Sequence, residues 1–214
     1  MKLFLTSKFH HVAHDIAGKL SDEQKQSVVF ITTPFKYREF KDSELVWHYN
    51  NLDAMKKHGF SYELYDITGK TSDDFERDLV KYQTMYVEGG SAFYFMQQVY
   101  KTNFGEYVKK RVESGMVYIS ESAGSVCVGI DIAANSRPGK ALEDYDLPSS
   151  AGIKLVNFAI LPHWGQPDKK SDHLTYKAPR AYRDDYPYIL LANTQYVEVM
   201  NDWYKIIDVA KIQK

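Results

Sequence analysis

Met116-Val117-Tyr118-Ile119-Ser120-Glu121-Ser122-Ala123-Gly124 is the stretch whose reading decides the fold. Its apolar opening passes without a linker into a turn of small side chains. A strand covered on both faces of a sheet reads as such a continuous apolar run rather than as an alternation. A serine on the turn from that strand into a helix is held above the sheet, in a backbone that accepts only small neighbours. Ala123 and Gly124 supply that smallness, although Ser120 stands where the usual elbow pattern has its first glycine.

Working outward, short β-branched or aromatic runs alternate with helical patterns. Strands are expected at 3–6, 28–32, 60–67, 84–87, 116–119 and 158–161. Helices are expected at 12–20, 42–58, 72–82, 92–100 and 105–114. Leu45, Tyr49, Leu52 and Met55 form the apolar repeat of the second helix, which Gly59 stops. Ser72 caps the third, with Asp73 and Asp74 favourably placed in its first turn. Residues 136–152 show no period and hold two prolines and two glycines, which predicts a long, functional or mobile loop. Asn201-Asp202 between two β-rich runs predicts a terminal hairpin. Strand–helix alternation of this kind gives right-handed crossovers and a mostly parallel sheet with helices on both faces. The expected architecture is therefore a three-layer α/β sandwich, with 1–214 as one domain.

Composition narrows the function classes. Net charge is −1, so no general field attracts nucleic acid or an anionic membrane. Hydrophobic residues make up 44% of the chain, enough to cover both faces of a sheet and too many for a disordered segment. One cysteine, Cys127, excludes an internal disulfide framework. The first residues lack the apolar run of a signal peptide, and no run is long enough to span a bilayer. A cytoplasmic protein is the expectation; the sequence does not set an oligomeric state.

In a parallel sheet, ligands bind beyond the carboxyl ends of the strands. Three segments follow predicted strands: Glu88-Gly89-Gly90-Ser91, Ser120-Glu121-Ser122-Ala123-Gly124 and Pro162-His163-Trp164. Ser122 is the candidate nucleophile and His163 the candidate base. The Gly90 and Ala123 amides are candidates for an oxyanion hole. The glycine spacing fits neither a dinucleotide fingerprint nor a phosphate loop. Trp164, beside His163, is the expected wall of a substrate pocket, while Trp47 and Tyr49 are expected in the core. His10 and His14 stand one helical turn apart, but Asp15 is their only nearby acid, which favours a solvated helix start over a metal site.

At these segments the chain resembles the peptidase E family of aspartyl dipeptidases, which have a class I glutamine amidotransferase-like fold. The family pattern is a glycine-rich segment, then G-x-S-A-G, then a strand ending in P-H. Its counterparts here are Glu88-Gly89-Gly90-Ser91-Ala92-Phe93, the Ser122 segment and Leu161-Pro162-His163-Trp164, and the opening Leu3-Phe4-Leu5-Thr6-Ser7 is similar too. The resemblance runs over nearly the whole chain. It implies a serine peptidase that removes an N-terminal aspartate from short peptides through an acyl-enzyme, without metal or organic cofactor. The elbow residue is Ser122 rather than the cysteine of the amidotransferases, which argues against glutamine amide transfer.

The chain departs from the family in two places. The offset at which the family carries its triad acid lands on Arg137. Glu143 is the preferred substitute, with Asp131 and Asp144 as alternatives. The family's substrate-binding arginine after the P-H segment has Lys177 near its matching position, with Arg180 and Arg183 further on. Lysine supplies charge without the bidentate fork, so selectivity could be looser. Two other readings stay open: an esterase of α/β-hydrolase type, and a catalytically impaired homologue that binds a peptide or small ligand.

Overall fold

The computed structural model describes residues 1–212. Strands β1 (Lys2–Thr6), β2 (Val28–Ile31), β3 (Tyr62–Tyr65), β4 (Thr84–Val87) and β5 (Val117–Glu121) are parallel and lie in the order β3-β2-β4-β5-β1. Between them run helices α1 (Phe9–Ala17), α2 (Asp22–Gln26), α3 (Val46–Lys57), α4 (Ser72–Leu79), α5 (Ala92–Thr102) and α6 (Phe104–Glu113). A short helix, α7 (Ala123–Cys127), follows β5 directly. Strands β6 (Ala159–Pro162) and β7 (Tyr188–Leu191) form a separate parallel pair. The terminal hairpin of β8 (Gln195–Met200) and β9 (Trp203–Asp208) completes the main sheet antiparallel to β1. The sheet thus has seven strands, parallel over five of them.

Alternation along the buried strands divides the core into two layers. Leu3, Leu5, Val29, Ile31, Met85, Val87 and Tyr118 pack with α4, α5, α6 and α7. Phe4, Val28, Phe30, Tyr86, Val117 and Ile119 pack with α1 and α3 on the other face. Both faces are covered, which is why these strands read as continuous apolar runs. The expected three-layer α/β architecture is the observed one.

Helix α3 departs from its predicted face. Its buried residues are His48, Asn51, Ala54 and Met55, while Tyr49 is exposed. Two polar side chains turn inward because they meet a buried carboxylate, Glu88. A hydrophobic repeat cannot signal such a contact. Helix α2 and strand β7 leave no periodic signal in the sequence. The first is a single turn held by a capping box between Ser21 and Gln24, and the second is only four residues long.

Candidate active site

Ser122 sits between β5 and α7 with φ 46° and ψ −102°. Only strong local restraint keeps a non-glycine residue there, at a cost of about 1–3 kcal/mol. The restraint comes from β1: Ser122 N–H and Ser125 Oγ–H both donate to the Thr6 carbonyl, and Thr6 Oγ1 donates to Ser120 O. Gly124 lets α7 approach β4, since a Cβ there would lie 2.5 Å from Val87 O. Gly90 is required just as firmly. Its φ is 143°, and a Cβ would fall 2.2 Å from Pro34 O.

His163 follows β6, not a strand of the main sheet. Its Nε2 lies 2.9 Å from Ser122 Oγ, and its Nδ1 lies 2.9 Å from Asn193 Oδ1. An amide oxygen only accepts, so Nδ1 carries the proton and the Nε2 lone pair faces the serine hydroxyl. Ser7 ties the group together. Its Oγ accepts the His163 backbone N–H at 2.8 Å and donates to Asn193 Oδ1 at 2.9 Å. Burial, reinforced by Lys177, Lys8 and Lys169, pushes His163 down to about 4 against the opposing Asn193 hydrogen bond. The imidazole is therefore neutral at pH 7 and free to take a proton.

Asn193 arrives through the β6–β7 pairing. Pro162 is in register with Leu191, so the residues just beyond each strand end are neighbours. Trp164 N–H donates to Leu191 O across the same ends. Serine, histidine and an amide in a chain of hydrogen bonds can pass the hydroxyl proton to the ring as a carbonyl is attacked. Among the described residues, neither the Gly90 nor the Ala123 N–H has an acceptor, and both flank Ser122.

Two cavities meet at Ser122 and His163. The larger, about 340 Å³, is lined by Tyr37, Phe40, Trp47, Gly89, Glu121 and Asn193 among others. The smaller is lined by Asn135, Arg137, Lys140 and Lys177. Asp172 pairs with Arg137 at 2.6 Å and with Lys177 at 3.8 Å, so the cations outnumber it. Burial pushes Lys177 down to about 8, and Arg137 opposes the help that Asp172 gives its charge. Asn135 Nδ2 is buried there without a hydrogen-bond partner.

A family model described as peptidase family S51 matches residues 3–207. The chain belongs to peptidase family S51. It is a peptidase, as the peptidase E resemblance implied. An uncharacterized peptidase of Listeria innocua is 31% identical over 175 residues, which cover 78% of this chain and 79% of that protein. A protein of Drosophila melanogaster named as a probable alpha-aspartyl dipeptidase is 28% identical over 56% of this chain and 48% of its own length. A Listeria monocytogenes crystal structure named for peptidase E superposes with a TM-score of 0.83, at 23% identity, over 97% of this chain and 98% of that one. That likeness carries the fold. No helix among the described residues is long and apolar enough to cross a membrane.

The structure brings together Ser122, His163, Gly90, Ala123 and Lys177, but not the acid candidates. Glu143 and Asp144 lie in a short helical turn where Asp144 accepts the Ala141 N–H. Asp131 accepts from Ala133 N–H and Ser150 Oγ. None of the three bonds to His163, whose Nδ1 is already taken by Asn193. Trp164 also leaves its expected place. Its ring stacks on His173 at 5.5 Å and borders a different hollow, while Trp47 lines the large cavity. Arg180 and Arg183 are held locally by Tyr176 O and Asp185.

Neither Asn193 nor Ser7 stands out in the sequence, where an amide and a hydroxyl carry no sign of the acid expected behind a catalytic histidine. The apolar run Tyr188-Ile189-Leu190-Leu191 ahead of Asn193 was the signal that could have found the fourth strand end.

Proposed function

We propose that the protein is a serine peptidase acting on short peptides, a dipeptidase that releases an N-terminal aspartate through an acyl-enzyme. The observation that carries the reading is the 2.9 Å approach of Ser122 Oγ to a neutral His163 Nε2. In this reading Ser122 attacks the scissile carbonyl as His163 takes its proton. The Gly90 and Ala123 amides hold the oxyanion. The imidazolium then gives its proton to the leaving amine, and water hydrolyses the ester by the reverse relay. Asn193 is a positioning residue that fixes the tautomer and faces the imidazolium with a dipole instead of a full charge.

The aspartyl preference rests on the smaller cavity. A substrate carboxylate there would meet Lys177 and Arg137.

The test compares purified protein with Ser122→Ala on chromogenic substrates carrying N-terminal Asp, Glu or neutral residues. The expected result is hydrolysis of Asp substrates that the variant loses. Equal turnover of neutral substrates would overturn the aspartyl preference. A folded wild-type protein inert on the whole panel, and unlabelled by a fluorophosphonate probe, would instead favour a binding protein.

A further inference from the structure

Glu121 is the last residue of β5, directly before Ser122, and the relay described above makes no use of it. Its carboxyl group is buried at 3% exposure. Oε2 accepts the Phe9 N–H at 2.7 Å and the Asn51 amide also serves this carboxyl, while Oε1 is the oxygen turned toward Gly89. The side chain lines the large cavity together with Ser122 and His163. Gly89 defines how near the two groups are. A Cβ built on it would lie 3.3 Å from Glu121 Oε1, 3.5 Å from the Trp47 ring and 3.6 Å from Ser122 Cβ. The absence of a side chain at position 89 therefore leaves an opening shared by a Glu121 carboxyl oxygen, an indole ring and the serine.

The covalent geometry of a peptide fixes what belongs in that opening. The α-nitrogen of a substrate's first residue is two bonds from its carbonyl carbon, or about 2.5 Å. A carbonyl within attacking distance of Ser122 Oγ, about 3–3.5 Å, thus keeps that nitrogen within about 6 Å of the hydroxyl. A carboxyl acceptor beside the serine is in reach of an N-terminal ammonium, which would ionise it on binding. An acylated nitrogen would present a neutral amide and push further chain against Trp47.

The surrounding charges agree. Glu88 follows β4 as Glu121 ends β5, and the pairing of Val87 with Ser120 makes the two carboxyls neighbours. Glu88 is committed to His48 and Asn51. Burial and the repulsion of Glu88 push Glu121 up to about 8, so a bound ammonium would supply the charge that ionises it. Lys8, Asp168 and Lys169 also line the cavity, and Lys8 acts on Glu121 as a weak counter-charge.

We propose that Glu121 Oε1 is the acceptor for the substrate's free α-ammonium, so that the site takes only peptides with an unblocked N-terminus. The proposal rests on the peptidase reading and names a second recognition point for it. Cations in the smaller cavity would take the aspartate carboxylate, and Glu121 the ammonium on the other side of Ser122.

Binding tests it independently of turnover. Aspartic acid amide and its N-acetyl derivative are titrated calorimetrically into the Ser122→Ala protein, then into Ser122→Ala with Glu121→Gln. Glutamine keeps the volume and an acceptor for the Phe9 N–H. The expected result is at least tenfold tighter binding of the free amine, and loss of that preference in the Glu121→Gln protein. Equal affinities of the two ligands with Glu121 intact would overturn the proposal, whether or not the Gln variant folds. So would a preference that survives Glu121→Gln. An amine preference in a protein whose wild type hydrolyses nothing would sink the peptidase mechanism and leave this site standing.

Discussion

Replacing Asn193 by aspartate tests the relay most directly, because it changes one charge while preserving the acceptor. In the native protein His163 is held at about 4. At pH 5.5 an imidazole with the ordinary value near 6.5 would be only about 10% neutral, whereas His163 is about 97% neutral. The acid limb of kcat/KM reports the base of the free enzyme, so it should fall near pH 4. A carboxylate 2.9 Å from Nδ1 favours the imidazolium. Contacts of that kind raise a pKa by about 1–3 units, which moves the limb to roughly pH 5–7. The Ser7 hydroxyl still has an acceptor, so the geometry is retained. The assay is a pH–rate profile on a substrate without a side-chain carboxylate, so that no substrate side chain titrates near the limb. Asn193→Ala supplies the contrast: an unoriented ring, with kcat lower by roughly 10–100-fold and KM little changed. A limb that stays near 4 in Asn193→Asp would refute the reasoning, as would a native limb at 6.5.

Further predictions concern strain, charge and buried acid. Ser122→Gly should be more stable than Ser122→Ala by about 1 kcal/mol in urea unfolding, because glycine adopts φ 46° without penalty. Lys177→Met should raise KM for Asp substrates at least tenfold and leave neutral substrates nearly unchanged. In the native protein that KM should climb above about pH 8 as Lys177 loses its charge. Glu88 and Glu121 are both raised, mainly by burial, so the folded state holds more protons than the unfolded one above the ordinary glutamate range. Their contribution is complete in acid and is lost as pH rises, and Glu88→Gln should flatten that decline in a series of thermal melts.

Much of the site was legible before folding because its pieces are local. A strand that ends in small residues announces an elbow, and Gly90 announces a close approach, in this case to Pro34 O. Pro162-His163 at a third strand end was legible for the same reason, although that strand lies outside the main sheet. Partners brought from a distance were not legible. The acid candidates Asp131, Glu143 and Asp144 lie near Ser122 in sequence or in the loop after it, whereas Asn193 bonds to His163 from 30 positions away and Ser7 from 156. Polar groups turned inward for a buried carboxylate, such as His48 and Asn51, run against the hydrophobic repeat and leave no trace in it.

The sequence by itself determined the layered fold, the family and the Ser122–His163 pair, because periodicity and short motifs are properties of neighbouring residues. Only the tertiary structure decided the rest: an amide behind the imidazole, Arg137 as a cavity cation, Trp47 and not Trp164 beside the serine, and a buried Glu121 carboxyl lining the cleft. Strand register and close packing set these contacts, and the chain order carries no record of either.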